Sequence, residues 1–192
     1  MRLNRRLLFA LAAALPVGKA FAQNFQPPVP DVPRSEVEKT DGARRNEQTI
    51  RRQNDVQNTG DIAATVAFFA EATRNHGVAV GRKGLVRVLT DIFATFPNFR
   101  SDIFDLVAVG DDVVIRTINS GTHKGMAKIP FNGGLLVGVP PTGKRFKVQS
   151  IHWLTLQDGL IIEHRASRDD IGMMQQLGLL PMTARYDLPK VS

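Results

Sequence analysis

The chain has 192 residues, 43% hydrophobic and 22% charged, which is enough globular chain for one domain with its own core. It contains no cysteine, so a disulfide framework, a thiolate metal site and a cysteine nucleophile are all excluded. Its formal charge of +7 is concentrated at the start: residues 1–22 hold four basic residues and no acid, leaving 21 basic against 18 acidic residues, or +3, for the remainder. That balance is too small to imply a nucleic-acid partner.

Residues 1–22 read as an export signal. Arg2, Arg5 and Arg6 precede the apolar run Leu7–Val17, and Ala20-Phe21-Ala22 offers a cleavage site before Gln23. The run is shorter than the roughly 20 apolar residues a membrane span needs. Asn4-Arg5-Arg6-Leu7-Leu8-Phe9 resembles a twin-arginine signal, although paired arginines also occur in general ones. The mature chain is therefore expected outside the cytoplasm, periplasmic or secreted, with no membrane role after cleavage. Residues 23–42 contain Pro27, Pro28, Pro30 and Pro33 and read as a tether.

The domain is expected over residues 43–182, with a tail at 183–192. Residues 43–58 form a first helix with few apolar points, Ile50 and Val56. Thr59-Gly60-Asp61 breaks and recaps the chain, and Ile62–Ala72 reads as an apolar helix. A third helix spans Gly84–Phe96, with Leu85, Val88, Leu89, Ile92 and Phe93 at i, i+3, i+4, i+7 and i+8; Pro97 stops it. The period then changes to two. Strands are expected over Phe99–Val109, Val113–Thr122, Lys144–Leu156 and Leu160–Arg168, with turns at Gly110-Asp111-Asp112 and Asp158-Gly159. A short helix, Asp170–Leu177, ends at Gly178. Helices followed by an antiparallel meander give an α+β fold, with three helices on one face of a four-stranded sheet.

Several motifs are decoys. Gly138-Val139-Pro140-Pro141-Thr142-Gly143-Lys144 has the spacing of a phosphate-binding loop, but Arg145 replaces the Ser or Thr and two prolines remove backbone donors. It reads as a turn. The four histidines, His76, His123, His152 and His164, have no short metal-ligand spacing, and no Gly-x-Ser-x-Gly elbow exists. Phe and Arg are not interleaved on a strand face as an RNA platform requires. The informative cluster lies on the last two strands. His152 falls on an apolar face with Ser150 and Leu154. Period-two alternation puts Ile161, Glu163, Arg165, Ser167 and Asp169 on one face, with Asp169 at the strand end. Asp169 or Asp170 also suits the N-cap of the last helix.

Read together, Gly121-Thr122-His123-Lys124-Gly125, Gly138-Val139-Pro140-Pro141-Thr142-Gly143, Asp158-Gly159-Leu160-Ile161-Ile162-Glu163-His164 and Asp169 with Gly172-Met173-Met174-Gln175-Gln176-Leu177-Gly178 resemble the SnoaL-like polyketide cyclase (ester cyclase) family. Gly60-Asp61, Asn75-His76-Gly77, Phe96-Pro97 and Gly110–Arg116 resemble it too, in the same order. The resemblance spans about residues 46–181 and implies an NTF2-like cone, with helices packed in a curved, mainly antiparallel sheet. It implies aldol-type ring closure, isomerisation or dehydration of a carbonyl compound without metal or cofactor. Asp169 matches the family's general acid/base, while His123 and His152 match polar pocket positions suited to hydrogen-bonding an enolate oxygen. The expected substrate-binding set is Arg116, Arg165, Ser150, His76 and Phe96. The expected partners are a small hydrophobic or carbonyl-containing molecule and a second copy of the chain.

Two features depart from the family pattern. Arg165 stands where a Trp is common, and by parity its guanidinium shares a face with Asp169, where it would weaken a base or bind an acidic substrate. Met126–Val137, with Pro130, Phe131 and Gly133-Gly134, is longer than the usual link and reads as an enlarged surface loop. An exported binding module that holds its ligand without turnover is the alternative function.

Overall fold

A computed structural model describes residues 40–130 and 135–181. The expected signal, most of the tether, the tail, and Phe131, Gly133 and Gly134 lie outside the described residues. Within them the order is α1 (Asp41–Asn58), α2 (Ile62–Val66), β1 (Phe69–Asn75), β2 (Val78–Ala79), α3 (Gly81–Thr95), β3 (Arg100–Val109), β4 (Asp112–Thr122), β5 (Arg145–Gln157), β6 (Leu160–Arg168) and α4 (Asp170–Gln176). The strands form one sheet in the order β2-β1-β6-β5-β4-β3, antiparallel except for the β1–β6 pair. This is the expected α+β class, with two strands more than the sequence suggests.

Helix α1 begins at Asp41, where the Thr40 hydroxyl accepts from the Ala43 N–H at 3.2 Å. Its sparse apolar pattern has a structural reason: it docks largely through amides. Asn54 Nδ2 and Asn58 Nδ2 donate to the Ser101 carbonyl at 3.0 and 2.7 Å, and Asn46 Nδ2 donates to the Gly110 carbonyl at 3.1 Å. Ile50, fully buried, supplies the apolar anchor.

The helix expected over Ile62–Ala72 stops at Val66. Beyond it the chain pairs with β6, since the Ile161 N–H donates to the Phe68 carbonyl at 2.9 Å and Phe69 aligns with Ile161. Pairing across the fold overrides local helix propensity here, with Phe69 and Thr73 buried. His76 and Gly77 then make a two-residue hairpin between β1 and β2. Both have positive φ, 51° and 80°, as a type I′ turn requires.

Two bulges set which side chains face inward. In β3 the register shifts between Ile103 and Asp105. In β6 it shifts at Ile162, because Leu156 pairs with Ile161 whereas Thr155 pairs with Glu163 and Leu154 with His164. The expected single face Ile161–Glu163–Arg165–Ser167–Asp169 is therefore broken. Ile161 points into the core, and past the bulge His164, Ala166 and Arg168 take over the inner face. The inner side chains of β4 and β5 alternate as expected, with Val113, Ile115, Thr117 and Asn119 opposite Leu154, His152, Ser150 and Val148.

The core has two parts. One joins α1, α2 and the sheet through Ile50, Val66, Phe69, Leu85, Val113, Leu154, Leu156 and Ile161. The other, around α4, contains Ile92, Phe96, Phe146, Val148, Met173 and Leu177. Gly125 runs so close to the end of α3 that a Cβ would lie 2.1 Å from the Ala94 carbonyl oxygen, so any side chain there must displace the end of the helix.

A candidate active site in the hollow of the cone

Between α3 and the inner face of the sheet lies a chamber of about 120 Å³. Its apolar walls include Phe69, Leu85, Val88, Leu89, Ile92, Phe99 and Leu154. Its polar groups are Gln57, Asn75, His76, Ser101, Asn119, Ser150, His152, His164 and Arg168. A wider hollow of about 640 Å³ shares Asn75, His76, Val88, Ala166 and Arg168 with it and adds Val78, Val80, Pro130, Ser167 and Asp170. A small molecule can thus enter from the hollow and place one end in the chamber.

The polar wall is one hydrogen-bonded chain. Asn75 Oδ1 lies 3.1 Å from His164 Nδ1, His164 Nε2 lies 2.9 Å from His152 Nδ1, and His152 Nε2 lies 3.3 Å from Thr117 Oγ1. The two imidazoles stack at 5.2 Å with 15° between their planes. Thr117 continues to Asn119 Oδ1 at 3.2 Å, and Asn119 Nδ2 donates to the Ser150 hydroxyl at 3.0 Å. An amide oxygen can only accept, so His164 carries its hydrogen on Nδ1 and accepts at Nε2. His152 must then donate from Nδ1, which leaves a lone pair on its Nε2. Both rings are held neutral. Burial, then the charges of Arg168 and His76, lower His152 to about 4; burial, then His152 and His76, lower His164 to about 3.

Of the residues expected from sequence, His152, Ser150 and His76 line the chamber together. His123 and Phe96 sit instead in the second core, with ring centroids 5.7 Å apart, and Phe96 packs on Phe146 at 4.9 Å. His123 is fully buried, its Nδ1 accepts from the Thr142 N–H at 3.3 Å, and burial lowers its pKa. The Gly138–Lys144 segment is thus a turn latched by this histidine, as its prolines suggest.

Arg116 lies on the outer face, paired with Asp105 and stacked 4.2 Å over the Phe104 ring. Arg165 is also on the outer face, opposite Trp153 in the register and 3.7 Å from Glu163, because the Ile162 bulge reverses the parity on which its inward placement rested. Asp169 caps α4, with Oδ1 accepting from the Gly172 N–H at 2.8 Å, and it does not line the chamber. His164, Arg168, Asn75, Asn119, Gln57 and Ser101 are the polar chamber residues that sequence reasoning missed. Pairing β6 against His152 with one residue inserted would have found His164. Among the described residues no group of three or more His, Asp or Glu is arranged to hold a metal ion.

A curved sheet wrapped around helices, with a mostly apolar hollow at its centre, defines an NTF2-like cone. The model of the SnoaL-like polyketide cyclase family matches residues 47–177, and the chain belongs to that family. It is 32% identical over 112 residues, 58% of this chain and 77% of the relative, to the nogalonic acid methyl ester cyclase of Streptomyces nogalater. Among solved structures it is similar to TsrD from Streptomyces laurentii, with 27% identity, coverage of 71% and 97% of the two chains and a TM-score of 0.61. A SnoaL-like polyketide cyclase from Agrobacterium tumefaciens shares the fold at 19% identity, with coverage of 69% and 98% and a TM-score of 0.59.

Proposed function

We propose that this protein is a cofactor-free acid/base enzyme of the cyclase type acting on a small, largely apolar carbonyl compound. A proton leaves the carbon alpha to one carbonyl, the C–H electron pair forms the enolate, the enolate carbon bonds to a second carbonyl carbon, and that oxygen takes up a proton. Isomerisation and dehydration share the first step. The observation that carries the reading is the neutral histidine pair set in the wall of a mostly apolar chamber. Such a chamber excludes water from a carbanion, and the Arg168 charge in its lining favours the developing enolate oxygen. The cyclase relative, named for a methyl ester, supports a ring-closing reaction.

The test is incubation of the mature protein with nogalonic acid methyl ester. Ring closure gives a product of unchanged mass and altered retention and absorbance; no conversion counts against this substrate class. The resemblance assigns the proton step to Asp169. Asp169→Asn keeps an oxygen for the Gly172 N–H while removing the carboxylate, so lost turnover at unchanged melting temperature supports that assignment. Retained turnover moves the step to the chamber wall. Export after Ala22 and pairing of two copies belong to the same proposal. The exposed outer row Val107, Trp153 and Ile151 supports the pairing. Native mass spectrometry of periplasmic protein reads both, along with any ligand that a binding module without turnover would retain.

A further inference from the structure

Among the described residues no Asp or Glu lines the inner chamber; its ionisable groups are His76, His152, His164 and Arg168. Of the carboxylates beside chamber residues in sequence, Glu163 accepts from the Gly77 N–H at 2.8 Å, Asp169 is turned onto the end of α4, and Asp170 borders only the outer hollow and pairs with Arg168 Nε at 2.5 Å. A base acting inside the chamber must come from the histidines. The hydrogen-bond chain decides which one. Asn75 fixes the hydrogen of His164 on Nδ1, His164 fixes that of His152 on Nδ1, and the lone pair of His152 is on Nε2, which the Thr117 hydroxyl vacates when its one hydrogen turns to Asn119 Oδ1.

We infer that His152 Nε2 is the general base of this chamber, with His164 and Asn75 as positioning residues that hold its tautomer, in place of a carboxylate. The inference rests on the acid/base reading above and names the group that performs its first step. Nε2 takes the proton from carbon and becomes part of an imidazolium, then returns that proton to the alkoxide formed on ring closure, so nothing is consumed. The arrangement parallels a triad in which a neutral amide, rather than a carboxylate, orients the histidine. Burial supports it: at about 4, His152 has the proton affinity of an ordinary aspartate, about 3.9, yet is uncharged when ready to act. The charged groups bearing on it are Arg168 on its neighbouring strand and His76 in the β1–β2 turn. Both disfavour a standing imidazolium.

The test uses 5-nitrobenzisoxazole, a small flat probe that reports C–H deprotonation alone. Removal of its ring proton forms the nitrile as the N–O bond breaks, and the phenolate is released and seen by absorbance. The mature wild-type protein is expected to open it faster than free imidazole at equal concentration. His152→Gln is expected to lose at least about a hundredfold in kcat. His152→Ala is expected to regain rate on adding imidazole, which a merely structural histidine would not show. His164→Gln and Asn75→Ala should lower kcat at unchanged KM and move the acid limb of the pH–rate profile. Circular dichroism of each variant separates loss of the base from loss of the fold. Imidazole ¹⁵N shifts showing hydrogen on Nδ1 of both rings are the signature independent of activity. Equal rates in wild type and His152→Gln, no rate above free imidazole, or hydrogen on Nε2 of His152 would overturn the inference. A probe opened through His152 beside an ester left uncyclised would retain the base and discard the ring-closing substrate.

Discussion

His123 and His152 are both histidines on the inside of the sheet, and burial lowers the pKa of both, yet the fold uses them in opposite ways. Around His123 the cone is filled. Phe96 and Phe146 crowd the ring, and its Nδ1 latches the turn before β5. Around His152 the same loss of hydration occurs beside an unfilled chamber, and the ring nitrogens form a chain that leaves a lone pair on Nε2 beside the Thr117 hydroxyl. Desolvation by packing makes a structural histidine. Desolvation beside a hollow makes a poised one.

The packed end should be the more sensitive to lost volume. Phe146→Ala removes a ring that is 4% exposed and is expected to cost about 3–5 kcal/mol of unfolding free energy, read by chemical denaturation. A cost under 1 kcal/mol would mean that this end is not the rigid one. Gly125→Ala, which must push the end of α3 away, is expected to cost about 1–3 kcal/mol.

The hollow end should instead reveal itself in pH. The pKa values of His152 and His164 are depressed below their unfolded value of about 6.5, so their contribution to stability is complete above that pH and is lost as the pH falls towards about 4 and about 3. Melting temperature should drop across that window, and the His152→Gln, His164→Gln double variant should show a flatter profile. An unchanged slope in the double variant would assign the acid sensitivity elsewhere. The smallest effect belongs to the outer face. Arg165→Ala should change stability by no more than about 0.5 kcal/mol and leave turnover intact, since its side chain lies outside the chamber. Loss of turnover there would return Arg165 to the site.

How much of this could be read from the sequence depends on which force shapes each element. The apolar stripe of α3 and the alternation of β4 and β5 are set by local burial, so Leu85, Ile92, Ser150 and His152 were all legible. In α1 the docking groups are Asn46, Asn54 and Asn58, bonded to backbone carbonyls far along the chain, and a hydrophobic pattern cannot report them. Strand β1 was hidden because Phe69-Ala70-Glu71-Ala72 has helical propensity, and only its parallel partner β6 makes it extended. The candidate site was half legible for the same kind of reason. His152 follows from alternation, whereas His164 and Arg168 depend on a bulge that leaves no compositional mark.

The extra residue in β6 separates two tasks that a regular strand would couple. On the turn side, alternate residues seal the core, with Ile161 beside Leu156; beyond Ile162 the alternation restarts half a period displaced and delivers His164, Ala166 and Arg168 to the chamber. The two halves need not share one hydrophobic phase, so a related chain can re-equip its chamber without repacking the hairpin. The arrangement also creates a vulnerability. A one-residue slip that absorbed the bulge would turn the His164 imidazole out to solvent and bring Glu163 and Arg165 inward, replacing the neutral histidine pair with a carboxylate and a guanidinium.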